Sequence, residues 1–287
     1  MSANKLMVKS NTKIDLSKIL TDFTDGYNSE EEASGDLKKN IEKMISLQDK
    51  LYAENKYSML LIFQAMDAAG KDGTIKHVMS GLNPQGTQVY SFKQPSFEEI
   101  NHDYLWRINK CLPERGKIGI FNRSYYEEVL VVKVHNLLAK EKIPKELITE
   151  DIWQQRYREI NDFEKFLYEN GTIILKFFLH ISKDEQKRRF LKRIEKKSRN
   201  WKFSDADLKE REHWDEYQKC YQEAISATSK KNAPWFIIPA DHKWYMRLAV
   251  SKIIVDAMME LPINYPKLNV EQLKNLDICK KKLENER

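Results

Sequence analysis

Ser58-Met-Leu-Leu-Ile-Phe63 runs directly into Gln64-Ala-Met-Asp-Ala-Ala-Gly-Lys-Asp-Gly-Thr-Ile75. The first piece is a short, unbroken apolar run. Runs of this kind suit a strand buried on both faces of a parallel sheet. The second piece places a glycine–lysine pair where that strand hands over to a helix. Small residues at such a turn let backbone N–H groups approach phosphate oxygens, and the helix N-terminus adds a partial positive charge. Ala68, Ala69, Gly70, Lys71, Asp72, Gly73 and Thr74 are therefore candidate phosphate-binding residues. Lys71 is expected to reach the bridging and terminal phosphates. Asp67 is a candidate ligand for a hard divalent cation, which prefers oxygen donors. The generic pattern G-x-x-x-x-G-K-[ST] is broken twice, by Ala65 and by Asp72. An ordinary glycine turn before a helix is the alternative.

Outward from this stretch, similar apolar runs recur at Gln88–Phe92, Lys117–Phe121, Thr172–Leu179 and Trp235–Ile238. Helical patterns lie between them, at Thr74–Ser80, Phe97–Cys111, Asp151–Asn170, Lys183–Lys197 and Asp205–Ser229, and a last helix is expected over Trp244–Glu260. Ahead of the first strand, Leu37, Ile41, Met44, Leu47 and Leu51 recur at steps of three and four, which predicts an amphipathic helix over Asp36–Ala53. Strands alternating with helices predict an α/β class, a three-layer α/β/α sandwich with a mostly parallel sheet. Ligands of such sheets sit at the carboxyl ends of the strands. Residues 1–34 read as an irregular arm, 35–268 as the domain, and 269–287 as a charged tail.

The run Lys117–Phe121 ends in Asn122-Arg-Ser-Tyr-Tyr-Glu-Glu128. This is where a nucleoside-triphosphate enzyme places a second acidic, metal-holding residue. Here Asn122 stands first, and Glu127 and Glu128 follow. Arg123 has the planar fork that clamps a phosphate in bidentate fashion. Acidic residues complementing a helix dipole are the competing explanation.

From Lys187 to Lys202 nine basic residues face the single Glu195. Arg189, Arg193 and Lys196 or Lys197 share one helical face. A basic helix after the fourth strand stands where small P-loop kinases carry a lid that closes and excludes water. A solvated charged face and a nucleic-acid surface are the alternatives, but no stacking aromatics interleave with the basic residues.

Composition sets the outer limits. The 287 residues are 41% hydrophobic and 32% charged, as expected of a soluble globular chain, and the net charge of +6 is too modest to indicate a nucleic-acid binder. Three scattered cysteines, Cys111, Cys220 and Cys279, form no disulfide framework and no zinc spacing. No apolar run approaches the roughly 20 residues needed to span a bilayer. The polar N-terminus lacks a signal-peptide core. A cytoplasmic location, with no membrane and no nucleic-acid partner, is expected.

Three stretches together closely resemble the polyphosphate kinase 2 family: Phe63–Ile75, Phe121–Lys133 and Leu175–Gln186. His102–Arg107, Trp201–Phe203 and Ala233–Ala240 add to the likeness, which spans roughly residues 35–262. The resemblance implies a P-loop kinase-like fold with a helical lid over about 184–212. It implies transfer of a phosphoryl group from inorganic polyphosphate to AMP and ADP, with Mg2+ as cofactor and Mn2+ as its substitute. Adenine nucleotides are the expected acceptors, guanine being the other candidate base, and a homo-oligomer, dimer or tetramer, is expected. Carried onto this chain, the family's catalytic positions are Asp67, Lys71, Arg123, Glu127 and Glu128. Polyphosphate would be held by the loop with Arg123, Arg189 and Arg193, the nucleotide by Asn122, Arg123 and Glu127, and the metal by Asp67 and Glu128. Glu127 stands at the position that separates subclasses and favours AMP. Glu128 replaces the family's Asp. An ATP-dependent nucleoside monophosphate kinase and a non-catalytic polyanion or RNA binder are the competing functions.

Overall fold

The computed structural model describes residues 5–140 and 142–286. The side chains of Lys140, Arg199 and Lys202 lie outside the described set, the last two being part of the basic run. The strands are β1 (Ser58–Ala65), β2 (Thr87–Ser91), β3 (Ile118–Asn122), β4 (Thr172–His180) and β5 (Trp235–Pro239). They form one sheet in the order β2-β3-β1-β4-β5, every pair parallel. The apolar runs are strands for the reason given: β1 is buried at all eight positions.

The helices are α1 (Glu30–Glu54), α2 (Lys71–Val78), α3 (Phe97–Ile100), α4 (Trp106–Asn109), α5 (Val131–Val134), α6 (Ile152–Glu169), α7 (Lys183–Glu195), α8 (Asp205–Glu212), α9 (Trp214–Thr228), α10 (Lys243–Met259) and α11 (Val270–Glu284). α1 and α2 pack on α10, and α6 packs on β4 and α9, so helices cover both faces of the sheet. The three-layer α/β/α architecture is the one expected. Because β2 and β3 are laid down on one side of β1 and β4 and β5 on the other, the strand order reverses beside it. The carboxyl ends of β1 and β3 therefore open the crevice where such folds bind ligands.

Three expectations are corrected. Phe97–Cys111 is two short helices separated by a turn, in which Asp103 Oδ1 accepts from Leu105 N–H at 2.9 Å. A local side-chain bond of this kind competes with helix continuation. Asp205–Ser229 breaks at His213 into α8 and α9. α1 starts earlier than predicted and buries Ala33, Asn40, Met44, Gln48 and Leu51, a face rotated from the apolar one. Its two buried amides are satisfied: Asn40 donates to Ser251 Oγ at 3.0 Å, and Gln48 donates to Asn83 O at 3.0 Å and to Thr87 Oγ1 at 2.8 Å.

The N-terminal segment is irregular but bound. Val8 N–H donates to Trp235 O and Ile237 N–H to Leu6 O, with Leu6, Val8 and Leu16 buried. It thereby covers the outer edge of β5, which would otherwise offer unpaired backbone groups. Among the described residues, no helix is long and apolar enough to cross a membrane.

Beneath the crevice lies a buried charged cluster. Lys176 Nζ donates to Glu164 Oε2 at 2.5 Å, to Tyr126 Oη at 2.9 Å and to Thr228 O at 2.8 Å. Tyr125 and Tyr126 both donate to Glu164 Oε1, at 2.7 and 2.8 Å. Burial pulls the Lys176 ammonium down to about 8, against Glu164. The cluster fixes the turn that carries Arg123 and Glu127.

Candidate active site

β1 ends at Ala65 and the chain turns through Met66–Gly70 into α2. Two residues of the turn take the left-handed region, Ala68 at φ 62° and Gly70 at φ 110°. At Gly70 a side chain is barred twice: the backbone is one that L-residues avoid, and a Cβ would lie 3.2 Å from Met246 Cε. Lys71 Nζ donates back to Ala65 O at 3.0 Å, and Thr74 Oγ1 donates to Gly70 O at 3.1 Å. Gly70 offers no side-chain cap, so the first N–H groups of α2 are left for an outside acceptor. Burial and the neighbouring Arg123 hold the Lys71 ammonium below its usual range, although Asp67, Glu127 and Asp72 pull the other way. A phosphate anion would relieve that strain.

Parallel register brings the second motif alongside. Phe63 faces Asn122, and Arg123 N–H donates to Phe63 O at 3.0 Å. Arg123 has φ 65°, a rare conformation for a side-chain-bearing residue and one that clusters at functional sites. Its Nη2 lies 3.2 Å from Asp67 Oδ1, and Asn122 Nδ2 donates to Asp72 Oδ1 at 2.8 Å. Burial would lower the Arg123 pKa, but Glu127 and Asp67 outweigh it and raise it. Burial likewise lifts the Glu127 carboxyl above the usual range, against Arg123 and Lys71.

Two cavities flank this junction. The first, of about 720 Å³, is lined by every loop residue from Asp67 to Thr74 and by Asn122, Arg123, Arg189 and Arg193. Nine Lys and Arg side chains line it against two carboxylates, Asp67 and Asp72. Such a concave surface focuses positive potential on an anionic ligand. The second, of about 840 Å³, holds Glu127 and Glu128 and has apolar walls including Ile100, Val131, Val132 and Leu147. Arg123, Phe92 and Lys93 line both cavities.

The sequence profile of the polyphosphate kinase 2 family (PPK2) matches residues 27–264. The chain belongs to the polyphosphate kinase 2 family. It is 49% identical over 278 residues to a protein of Rhodopseudomonas palustris named ADP-polyphosphate phosphotransferase, 96% of each chain being covered. It is 46% identical over 244 residues to one of Meiothermus ruber named AMP/ADP-polyphosphate phosphotransferase, covering 85% of this chain and 86% of that one. The crystal structure of polyphosphate kinase 2 from Arthrobacter aurescens TC1 superposes with a TM-score of 0.86 at 40% identity over 96% of each chain.

A polyphosphate kinase 2 enzyme works with a divalent cation, and the residues here fit one. Among the described residues no cluster of three or more His, Cys, Asp or Glu forms a protein cage. A hard divalent cation can be held by one or two carboxylates together with substrate phosphates. Asp67 is a partly exposed carboxylate at the mouth of the loop.

Two expected site residues also have protein partners. Glu128 lines the second cavity, is buried, and accepts from Arg156 Nε of α6 at 2.9 Å. Arg189 lines the first cavity, yet all five of its N–H groups are committed. Nε bonds Glu185, Nη1 bonds Ala68 O and Ala69 O, and Nη2 bonds Ala240 O and Asp241 O. Arg193 bonds Asp207 Oδ2 of α8 at 3.3 Å. Burial, then Asp67, pushes the Asp207 carboxyl up. Missed by sequence reasoning were the cavity cations Lys76, Lys93, Lys243 and Arg247. Lys192 lines the cavity too.

Proposed function

We propose that this polyphosphate kinase 2 enzyme reversibly transfers the terminal phosphoryl group of inorganic polyphosphate to ADP and AMP, giving ATP and ADP. The observation that carries this is the pair of cavities meeting at Arg123. One is cationic and runs along the phosphate loop; the other is partly apolar, as a nucleoside site requires. The names of the relatives from R. palustris and M. ruber support both acceptors.

In this reading polyphosphate lies along the first cavity, its terminal group against the loop N–H groups and Lys71. The nucleotide enters the second cavity with its phosphate toward Arg123. Arg123 touches both and aligns them for in-line attack. The attacking oxygen is already anionic, so no strong general base is required, and positioning with charge neutralisation supplies the catalysis. Asp67, assisted by Glu127, would hold Mg2+ or Mn2+. Such an ion, when bound, neutralises phosphate charge and fixes the orientation of the phosphate oxygens. Glu127 positions the acceptor phosphate. α7 and α8 act as the lid that excludes water.

The test is an incubation of ADP, and separately AMP, with polyphosphate and Mg2+ in the absence of ATP, with nucleotides resolved by chromatography. ATP from ADP and ADP from AMP are expected. No product, alongside ATP-driven phosphorylation of AMP, would replace this reading with that of an ordinary nucleotide kinase.

A further inference from the structure

Three consecutive carbonyls of the phosphate loop are tied to α7. Gln186 Nε2 donates to Asp67 O at 2.9 Å, and Arg189 Nη1 donates to Ala68 O at 3.1 Å and Ala69 O at 2.6 Å. A trans peptide is planar, with C=O and N–H on opposite sides. Drawing these carbonyls toward α7 therefore turns the next N–H groups away from it. The Ala69 N–H closes the turn on Met66 O at 3.3 Å. Ala68 and Gly70 both line the cationic cavity, and among the described residues neither N–H has a backbone partner.

Gln186 is buried and lies outside the cavity wall. Its Oε1 accepts from Arg211 Nη1 at 2.6 Å, and that nitrogen also donates to Lys183 O at 2.9 Å. Arg211 is on α8, so the chain of bonds runs α8, Gln186, Asp67 O. Arg189 extends it to the end of β5, through Ala240 O and Asp241 O.

We propose that Gln186 and Arg189 are positioning residues: they orient the loop peptides that receive the donor phosphate and do not touch phosphate themselves. Docking of α8 on α7 supports the Gln186 arm of this clasp through Arg211, which couples the lid to the loop. The assignment rests on the phosphoryl-transfer reading above and differs from it in naming what holds the loop. It also separates Arg189 from the other cations of α7. Charge alone would be served equally by lysine, whereas a fork reaching four carbonyls and a carboxylate requires the guanidinium.

The experiment uses the full chain carrying Arg189→Lys or Gln186→Met, with kcat and the KM for polyphosphate measured at saturating ADP. Both are expected to lower kcat about 100-fold, as a misplacement of about an ångström does. The KM should change by no more than about threefold, as for interactions made only in the transition state. Amide exchange of residues 68–71, followed by mass spectrometry, should quicken in both while that of β1 stays slow. Arg189→Lys with kcat intact and KM raised about tenfold would make Arg189 an electrostatic ligand of phosphate and overturn the proposal. So would wild-type kinetics in Gln186→Met. Should that variant fail to fold, Gln186→Glu keeps the acceptor for Arg211 and loses only the donor to Asp67 O; an unchanged kcat there is equally fatal. The exchange measurement needs no substrate. Quickened loop exchange in the variants of a protein that moves no phosphoryl from polyphosphate would sink the functional reading and sustain the clasp.

Discussion

Arg123 and Asp67, 56 positions apart in the chain, meet as an ion pair with Nη2 3.2 Å from Oδ1. The parallel register of β1 with β3 makes this contact, since Phe63 and Asn122 are opposite each other and each is followed by its loop. Both partners keep substantial exposure, 40% for the Arg123 side chain and 27% for that of Asp67. A pair so wet contributes little to stability, roughly 0–1 kcal/mol. Its use is to hold a carboxylate and a guanidinium ready at one spot. Asp67→Asn should therefore melt close to wild type while losing phosphoryl transfer by at least about 100-fold, the scale of removing a group that stabilises transition-state charge. Full activity in that variant removes Asp67 from the metal assignment.

Glu127 shares the second cavity with Arg123, and burial holds its carboxyl above the usual range. In the proposed function it positions the acceptor phosphate, on which AMP, the shorter acceptor, depends most. Glu127→Asn is expected to reduce kcat/KM for AMP by about tenfold more than for ADP, one misplaced polar contact being worth about 1–2 kcal/mol. Parallel assays with the two acceptors measure the ratio. Equal losses on both would refute a role in acceptor choice.

How much of this was legible in the sequence follows from what each feature depends on. β1, β3 and the loop were readable because unbroken apolar runs and a Gly–Lys pair are local signals. The charge of α7 was readable as well, but the aim of Arg189 was not, because its acceptors are backbone carbonyls that have no signature in sequence. Lys243 and Arg247 were unreadable as site residues for a different reason. They reach the cavity only because Met246 packs against Gly70, a contact between residues 176 positions apart. The partner of Glu128 was unreadable too, since Arg156 stands on another element, α6.

The buried cluster under the site yields a stability prediction. Lys176 and Glu164 are both fully buried and bonded to each other, with Tyr125, Tyr126 and Thr228 completing the set. Removing one partner leaves an uncompensated charge in a low dielectric, which costs about 3–5 kcal/mol. Lys176→Met should lower stability by that amount in urea denaturation. Restoring neutrality with Lys176→Met and Glu164→Leu together should recover a good part of it. A double variant as unstable as the sum of the singles would show that the two charges are not coupled.

The last prediction concerns the wall of the first cavity opposite the lid. Lys243 and Arg247 lie one turn apart on α10, beside Lys76 and His77 of α2. Arg247 Nε is buried and has no hydrogen-bond partner among the described residues. Burial, followed by the nearby Arg247, holds the His77 imidazolium below its usual range. An anion bound beside His77 would offset that suppression. If the inner phosphates of a polyphosphate chain lie along this wall, Lys243→Ala combined with Arg247→Ala should raise the KM for long chains by about tenfold and that for tripolyphosphate by clearly less, partly exposed charged contacts being worth up to about 1 kcal/mol each. The sign with pH follows from His77. An anion beside it favours the protonated ring, so binding takes up a proton and tightens as pH falls, down to the depressed value of the free protein. The KM for long chains should thus be lower at pH 6 than at pH 7.5 in wild type, and this difference should shrink in His77→Asn. A pH dependence identical in the two proteins would show that the chain leaves the loop by another route.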